Sequence, residues 1–360
     1  MAAPIPAASL ASPTNHGLHK SLAKAVPLTC TGHSRPVTHL NFSGILNKNP
    51  GPTELSKDLV DPRYLIISAC KDGNPMLRNG VTGDWIGTYF GHTGAIWCTR
   101  LSRDGAIATS CGADFLVNVW NAKTGDLAAS LPHNSIVRSC DLFPGVSAAT
   151  RQLRLVSGSQ DSTVRIWDVG TQTIEVEWSV SKPSDESSEN PTKLPIRSVL
   201  WIREDIVVTV TFEGLVTWWR LGPLRTSAPE RVREMDLHGT TRQVEYNDVH
   251  NLLIIAADKT GHFINASSGE TVKQFSADYR VSALCVDVEK KWIVASSADE
   301  LWVHVYAYSS EELLETLRGH HGPVHTALFS PDNAVLATGS EDGTIRIWKM
   351  VLGPYGLWRS

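Results

Sequence analysis

The stretch 319-GHHGPVHTALFSPDNAVLATGSEDGTIRIW-348 sets His320, Thr338, Asp342 and Trp348 at offsets that recur in 91-GHTGAIWCTRLSRDGAIATSCGADFLVNVW-120 as His92, Ser110, Asp114 and Trp120. In both copies a Gly-His pair precedes the short apolar residue that opens a strand, and a hydroxyl lies four residues before the aspartate. A tryptophan lies six residues after it. An indole N–H, a hydroxyl, an imidazole and a carboxylate can satisfy one another in a single buried chain, which fixes the register of the strands that carry them. Around each aspartate the apolar residues alternate with period two, as in Val164 and Ile166 or Ile345 and Ile347, and Gly/Asp/Ser turns separate the runs.

Aligning the rest of the chain on the acidic residue of this turn gives Asp72, Asp114, Asp161, Glu213, Asp258, Asp299 and Asp342, separated by 42, 47, 52, 45, 41 and 43 residues. A period of this length with strand patterning on both sides of every turn predicts four-stranded propeller blades. The two best copies resemble WD40 repeats. The expected fold is all-β, a seven-bladed WD40 β-propeller over residues 26–358. The third blade supplies His133, Ser157, Asp161 and Trp167, with Pro132 where glycine is usual. The fourth keeps Thr209, Glu213 and Trp219 without a Gly-His pair, and the fifth and sixth keep only Asp258 and Asp299, which leaves them to apolar packing. The chain reaches its last blade with one strand too few, while 26-VPLTCTG-32 resembles 315-ETLRG-319. An N-terminal strand is therefore expected to complete the seventh blade and remove a free sheet edge.

The first blade, 68-SACKDGNPMLRNGVTGDW-85, has its Gly-His pair at His33, then Ser68 and Asp72, but Arg78 occupies the tryptophan position. Together with 82-TGDWIGT-88, 27-PLTCTGHSRPV-37 and 354-PYGLW-358, this variant is similar to the serine/threonine kinase receptor-associated (unr-interacting) family. The resemblance spans about residues 26–358 and is most specific at the two ends and in blades one, two and seven. An insertion at 46–62 in blade one and a Pro/Ser/acidic loop at 181–193 before blade four depart from that family, as does the lack of an acidic tail after Ser360. The stretch 87-GTYFGHTGAIWC-98 is equally similar to a WD40 subunit of the initiation-factor complex that binds the small ribosomal subunit, which stands as the alternative.

With 42% hydrophobic residues and 19% charged, the 360 residues suffice for one large repeat domain or two ordinary ones. A formal net charge of −4 supplies no overall attraction for nucleic acid or membrane, so polyanion binding needs a local patch. No run of 18 apolar residues occurs, and no membrane insertion is expected. Residues 1–25 are Ala/Pro/Ser-rich, without arginine or a compact apolar segment, and read as a disordered tail. Cys30, Cys70, Cys98, Cys111, Cys140 and Cys285 are far apart in the chain and read as buried thiols, with no metal, disulfide or cofactor expected.

Ser110, Ser157 and Thr338, each with histidine and aspartate partners, imitate a hydrolase constellation, but they recur once per blade inside the sheets. A structural role explains the recurrence, and no catalytic residue is assigned. A propeller enzyme would need a converging site that the sequence does not display. The expected function is binding at the propeller mouth. Residues flanking the apolar residue that opens the innermost strand, with the residue before the turn acid, give Lys71, Trp97, Arg138, Arg197, Arg242, Arg280 and His325. The four arginines would form a local basic ring suited to acidic peptide segments, with RNA contacted indirectly. The family resemblance implies a non-catalytic scaffold of the SMN complex, which assists assembly of spliceosomal small nuclear ribonucleoproteins. It also implies a cytoplasmic location with a nuclear pool, and a further role as adaptor in kinase-receptor signalling.

Overall fold

The computed structural model describes residues 26–46, 62–144, 153–182, 192–222 and 227–350. The 1–25 tail, residues 47–61 of the 46–62 insertion, residues 183–191 of the 181–193 loop, and the PYGLW segment lie outside them. The described residues form 28 strands in seven four-stranded antiparallel sheets. In six blades the four strands follow in chain order from the central axis outward, with innermost strands Val37–Phe42, Ile96–Leu101, Val137–Leu142, Ile196–Arg203, Thr241–Asn247 and Val281–Asp287. The seventh blade is built from Val324–Phe329, Val335–Ser340 and Ile345–Lys349, and its outermost strand is Leu28–Cys30. Leu28 pairs with Ile347 and Cys30 with Ile345, so the two ends of the described chain share one sheet. Closure removes the free edge that an open blade would expose to another chain.

All seven acidic residues aligned in the sequence lie between the second and third strands of their blades. The core is divided among the interfaces between neighbouring blades. One cluster joins Val164, Ile166 and Trp178 of blade three to Val199, Trp201 and Trp219 of blade four. Another joins Cys30, Ile345 and Ile347 to Val37, Leu40 and Ile66, carrying the closure strand into blade one.

Every innermost strand has a register shift immediately after its opening residue, between Val37 and His39, Ile96 and Cys98, Val137 and Ser139, Ile196 and Ser198, Thr241 and Gln243, Val281 and Ala283, and Val324 and Thr326. A bulge re-aims the side chain of the residue it inserts. The seven inserted residues are Thr38, Trp97, Arg138, Arg197, Arg242, Ser282 and His325, one from each blade.

Candidate functional site: the propeller mouth

The buried chains that fix the blades run in one direction. In blade two the Trp120 indole donates to the Ser110 hydroxyl at 2.8 Å, His92 Nε2 meets that hydroxyl at 2.8 Å, and His92 Nδ1 meets Asp114 at 2.6 Å. Blade seven repeats this through Trp348, Thr338, His320 and Asp342 at 2.9, 2.8 and 3.1 Å. Each serine, threonine and histidine thus has a partner on both sides, so this constellation is a structural relay within the sheet. Burial would raise Asp342, but the His321 N–H and Thr344 outweigh it and hold the carboxyl at about 2. Burial pushes His320 down to about 4 against the pull of Asp342.

Blade three departs from the expected four-part chain. Trp167, Ser157 and His133 are joined at 2.8 and 2.7 Å, but His133 Nδ1 is buried with no partner, and Asp161 instead accepts from the Thr163 N–H. Gly32 and Gly91, which precede the corresponding histidines of blades one and two, have φ of 128° and 151°. Pro132, with its φ fixed near −65° by its ring, takes the place of these glycines before the one histidine that meets its serine but not its aspartate. Burial, reinforced by Arg165, drives His133 down to about 3.

In blade one, His33 bridges Ser68 and Asp72 at 2.8 and 2.9 Å. Arg78, in the tryptophan position, reaches neither Ser68 nor Asp72. It is 5% exposed, and its guanidinium donates to the Gly83 carbonyl at 3.1 Å and to the Thr31 carbonyl. Thr31 directly follows the closure strand, so the substitution ties blade one to the strand that closes the ring. Blade four retains the Trp219 to Thr209 bond at 2.9 Å. Glu213 is exposed there, and its ionic partner is Lys182.

The mouth is lined by the bulge residues. Arg138 stacks on the Trp97 ring with its guanidinium carbon 4.2 Å from the centroid, and it lies 5.4 Å from the Phe212 ring. Arg197 approaches the other side of this group, 5.8 Å from Phe212, and donates to the Arg242 carbonyl. One terminal nitrogen of Arg138 is used on Gln160 at 3.0 Å. Trp97 Nε1, Arg138 Nε and Arg242 Nε are buried and have no acceptor. Burial, with Arg138 as its next contributor, pushes Arg197 down to about 10, and burial also lowers Arg138. The Arg138 and Arg197 guanidiniums and the Trp97 indole therefore converge on one cleft where charge is poorly solvated, with the buried Arg242 Nε on the neighbouring blade, an arrangement that an anion would relieve.

Of the other rim residues, only His325 lines the same cleft. Arg280 precedes the opening Val281, so Ser282 holds the bulge of blade six, where its hydroxyl donates to the Val324 carbonyl of blade seven at 2.5 Å. Arg280 is exposed and is neutralised by the turn acid Asp299 of its own blade. His325 and Lys71 share Glu341. The expected ring of four arginines is thus an arc of three, on blades three to five. The signal for this distinction is present in the sequence: only the residue after the strand-opening position is re-aimed by the bulge.

Below the mouth, the channel is crossed by charges that sequence reading missed. His39 of blade one meets Glu245 of blade five at 2.9 Å. Arg100 of blade two donates to Glu245 at 2.9 Å and faces Asp141 of blade three at 3.7 Å, while Asp141 accepts from the Trp201 N–H of blade four at 2.9 Å. Burial raises Asp141 to about 6 despite Arg100, whereas His39 overcomes its burial through Cys98 and Glu245 and rises to about 9. A narrow cleft of about 20 Å³ lies between this network and the bulge residues. That is room for about one water molecule rather than for a drug-sized substrate.

A closed propeller whose inter-strand bulges present side chains at one mouth defines a WD40 platform for binding other macromolecules. The family model described as "WD domain, G-beta repeat" matches residues 83–121, 125–168 and 311–349. The chain is 36% identical to the serine-threonine kinase receptor-associated protein of Rattus norvegicus over 93% of this chain and 86% of the relative. It is 32% identical to the protein of that name from Dictyostelium discoideum over 90% of this chain and 98% of the relative. Eukaryotic translation initiation factor 3 subunit I of Caenorhabditis briggsae is 25% identical over 89% and 95% of the two chains. The chain belongs to the serine-threonine kinase receptor-associated protein family.

Proposed function

We propose that this chain is a non-catalytic assembly platform that takes an acidic peptide segment at its mouth. The carrying observation is the convergence of Arg138, Arg197 and Arg242 with Trp97, which leaves three buried N–H donors without acceptors. A carboxylate suits a guanidinium in shape as well as charge, and an acidic side chain entering between Trp97 and Phe212 would meet both donors and a flat apolar wall. RNA is the less favoured ligand, because the described mouth offers Trp97 and Phe212 but no extended row of stacking rings.

Membership of the receptor-associated family supports a finer reading, as a subunit of the SMN complex that assists assembly of spliceosomal small nuclear ribonucleoproteins, with an adaptor role in kinase-receptor signalling. Such a subunit would work in the cytoplasm and maintain a nuclear pool. The experiment is affinity purification of the tagged chain followed by mass spectrometry. Recovery of SMN and Sm proteins is the expected result; recovery of initiation-factor subunits in their place would transfer the chain to the alternative reading.

A further inference from the structure

We propose that Cys98, Cys111 and Cys140 form a binding site for a soft, thiophilic metal cation at the interface of blades two and three. The three are separated by 13 and 29 residues in the chain, but their sulfurs all lie within 4.8 Å of one another. Cys98 and Cys111 are directly opposite each other on the first two strands of blade two, and Cys140 comes from the innermost strand of blade three. Sulfurs around an ion with bonds near 2.3 Å sit about 4 Å apart, so the present spacing needs only a small contraction.

The surroundings favour soft-metal chemistry over hard-metal chemistry. All three thiols are buried, and the cluster is walled by Val117, Leu131, Val137 and Leu142, with no carboxylate in the ligand group. Three sulfur donors in a dry pocket suit monovalent copper, whereas zinc would need a fourth donor. The Thr109 hydroxyl lies 3.5 Å from the Cys140 sulfur and would steady that ligand. Cys98 also borders the channel cleft beside His39, which gives a route from the mouth to the cluster. Binding would release the thiol protons, and His39 and Arg197, which line the same cleft as Cys98, would offset part of the negative charge that three thiolates retain. The ion would cross-link two neighbouring blades at a point where apolar packing and weak sulfur hydrogen bonds now join them.

The test uses the full chain, reduced and metal-free under anaerobic conditions, titrated separately with Cu(I) and Zn(II) against a chromophoric chelator. The expected result is one equivalent bound, with ultraviolet thiolate-to-metal absorption and a raised melting temperature. Cys111→Ala and Cys140→Ala should each weaken binding by more than the ~100-fold that loss of a supporting outer contact costs, while Cys285→Ala should leave it unchanged. The two titrations also tell which ion the site prefers. Native mass spectrometry of the wild-type chain gives the stoichiometry even if a cysteine variant fails to fold. Absence of stoichiometric binding of either ion, binding indifferent to Cys111→Ala and Cys140→Ala, or a Cys98–Cys111 disulfide in freshly purified protein would overturn the site and leave the three thiols as small core residues. None of these results bears on peptide binding by the arginine arc.

Discussion

The Arg78 guanidinium donates to the carbonyl of Thr31, linking the third strand of blade one to the residue that follows the closure strand of blade seven. An arginine in the tryptophan position thus exchanges a bond inside one blade for a bond between the blades where the ring shuts. The side chain is buried among Met76, Gly32 and the two carbonyls, which leaves it no surface to offer a partner.

Arg78→Ala should therefore destabilise the fold by about 3 kcal/mol, since it leaves the Thr31 and Gly83 carbonyls without their charged donor. Urea unfolding followed by circular dichroism measures this. A midpoint within error of wild type would show that the clamp contributes nothing.

Ring closure should depend on residues 28–30 and not on those before them. Removal of residues 1–25 is expected to leave the melting temperature unchanged. Removal of 1–32 takes away the outermost strand of blade seven along with His33's preceding glycine, and should cause aggregation. Size-exclusion chromatography of the two truncations decides the matter; a stable monomer of 33–360 contradicts it.

Charge reversal should separate the arc from the rest of the rim. Arg138→Glu and Arg242→Glu are each expected to weaken an acidic peptide by about 1 kcal/mol or more, with the loss shrinking as salt rises. Arg280→Ala should change affinity little, because Asp299 already neutralises that side chain. Fluorescence anisotropy at two ionic strengths reads both effects, and equal losses at Arg280 and Arg138 would refute the three-residue arc.

Acidification should destabilise the fold in two stages. His133 and His320 are held neutral in the fold at about 3 and 4, so the stability they confer is complete above the unfolded histidine value of 6.5 and declines as pH falls through their folded values. Asp72 and Asp342, held at about 2, add a second loss as pH falls from near 4 toward 2. A His133→Gln variant should show a shallower decline in melting temperature between pH 6.5 and 3 than wild type. Parallel profiles would mean that His133 is not held neutral.

Glu245→Leu removes the carboxylate shared by His39 and Arg100 and leaves the buried Arg100 guanidinium with Asp141 at 3.7 Å as its remaining acid. A loss of about 3–5 kcal/mol is expected, as for other buried pairs deprived of one partner. Chemical denaturation checks it, and a change below 1 kcal/mol would show that water or a rearranged Asp141 replaces the carboxylate.

The sequence by itself determined the blade count, the strand phase and the closure. These follow from local period-two patterning, from acidic turns at a nearly constant repeat, and from an N-terminal segment that copies the strand missing at the far end. It also located the complete relays of blades two and seven, because each lies within one repeat, but not the missing histidine–aspartate bond of blade three. Tertiary structure alone decided what happens between repeats. His39 and Glu245 stand 206 residues apart, and nothing local predicts that they meet across the axis. Cys98, Cys111 and Cys140 look scattered until the strands of two blades are laid side by side. Arg138 follows its strand-opening valine and Arg280 precedes one, a difference visible along the chain, but only the one-residue bulge shows that it turns Arg138 into the mouth and leaves Arg280 at the rim with Asp299. Periodicity records which face of a strand is buried; the curvature of the closed ring and the bulge in each innermost strand determine which of those residues come together.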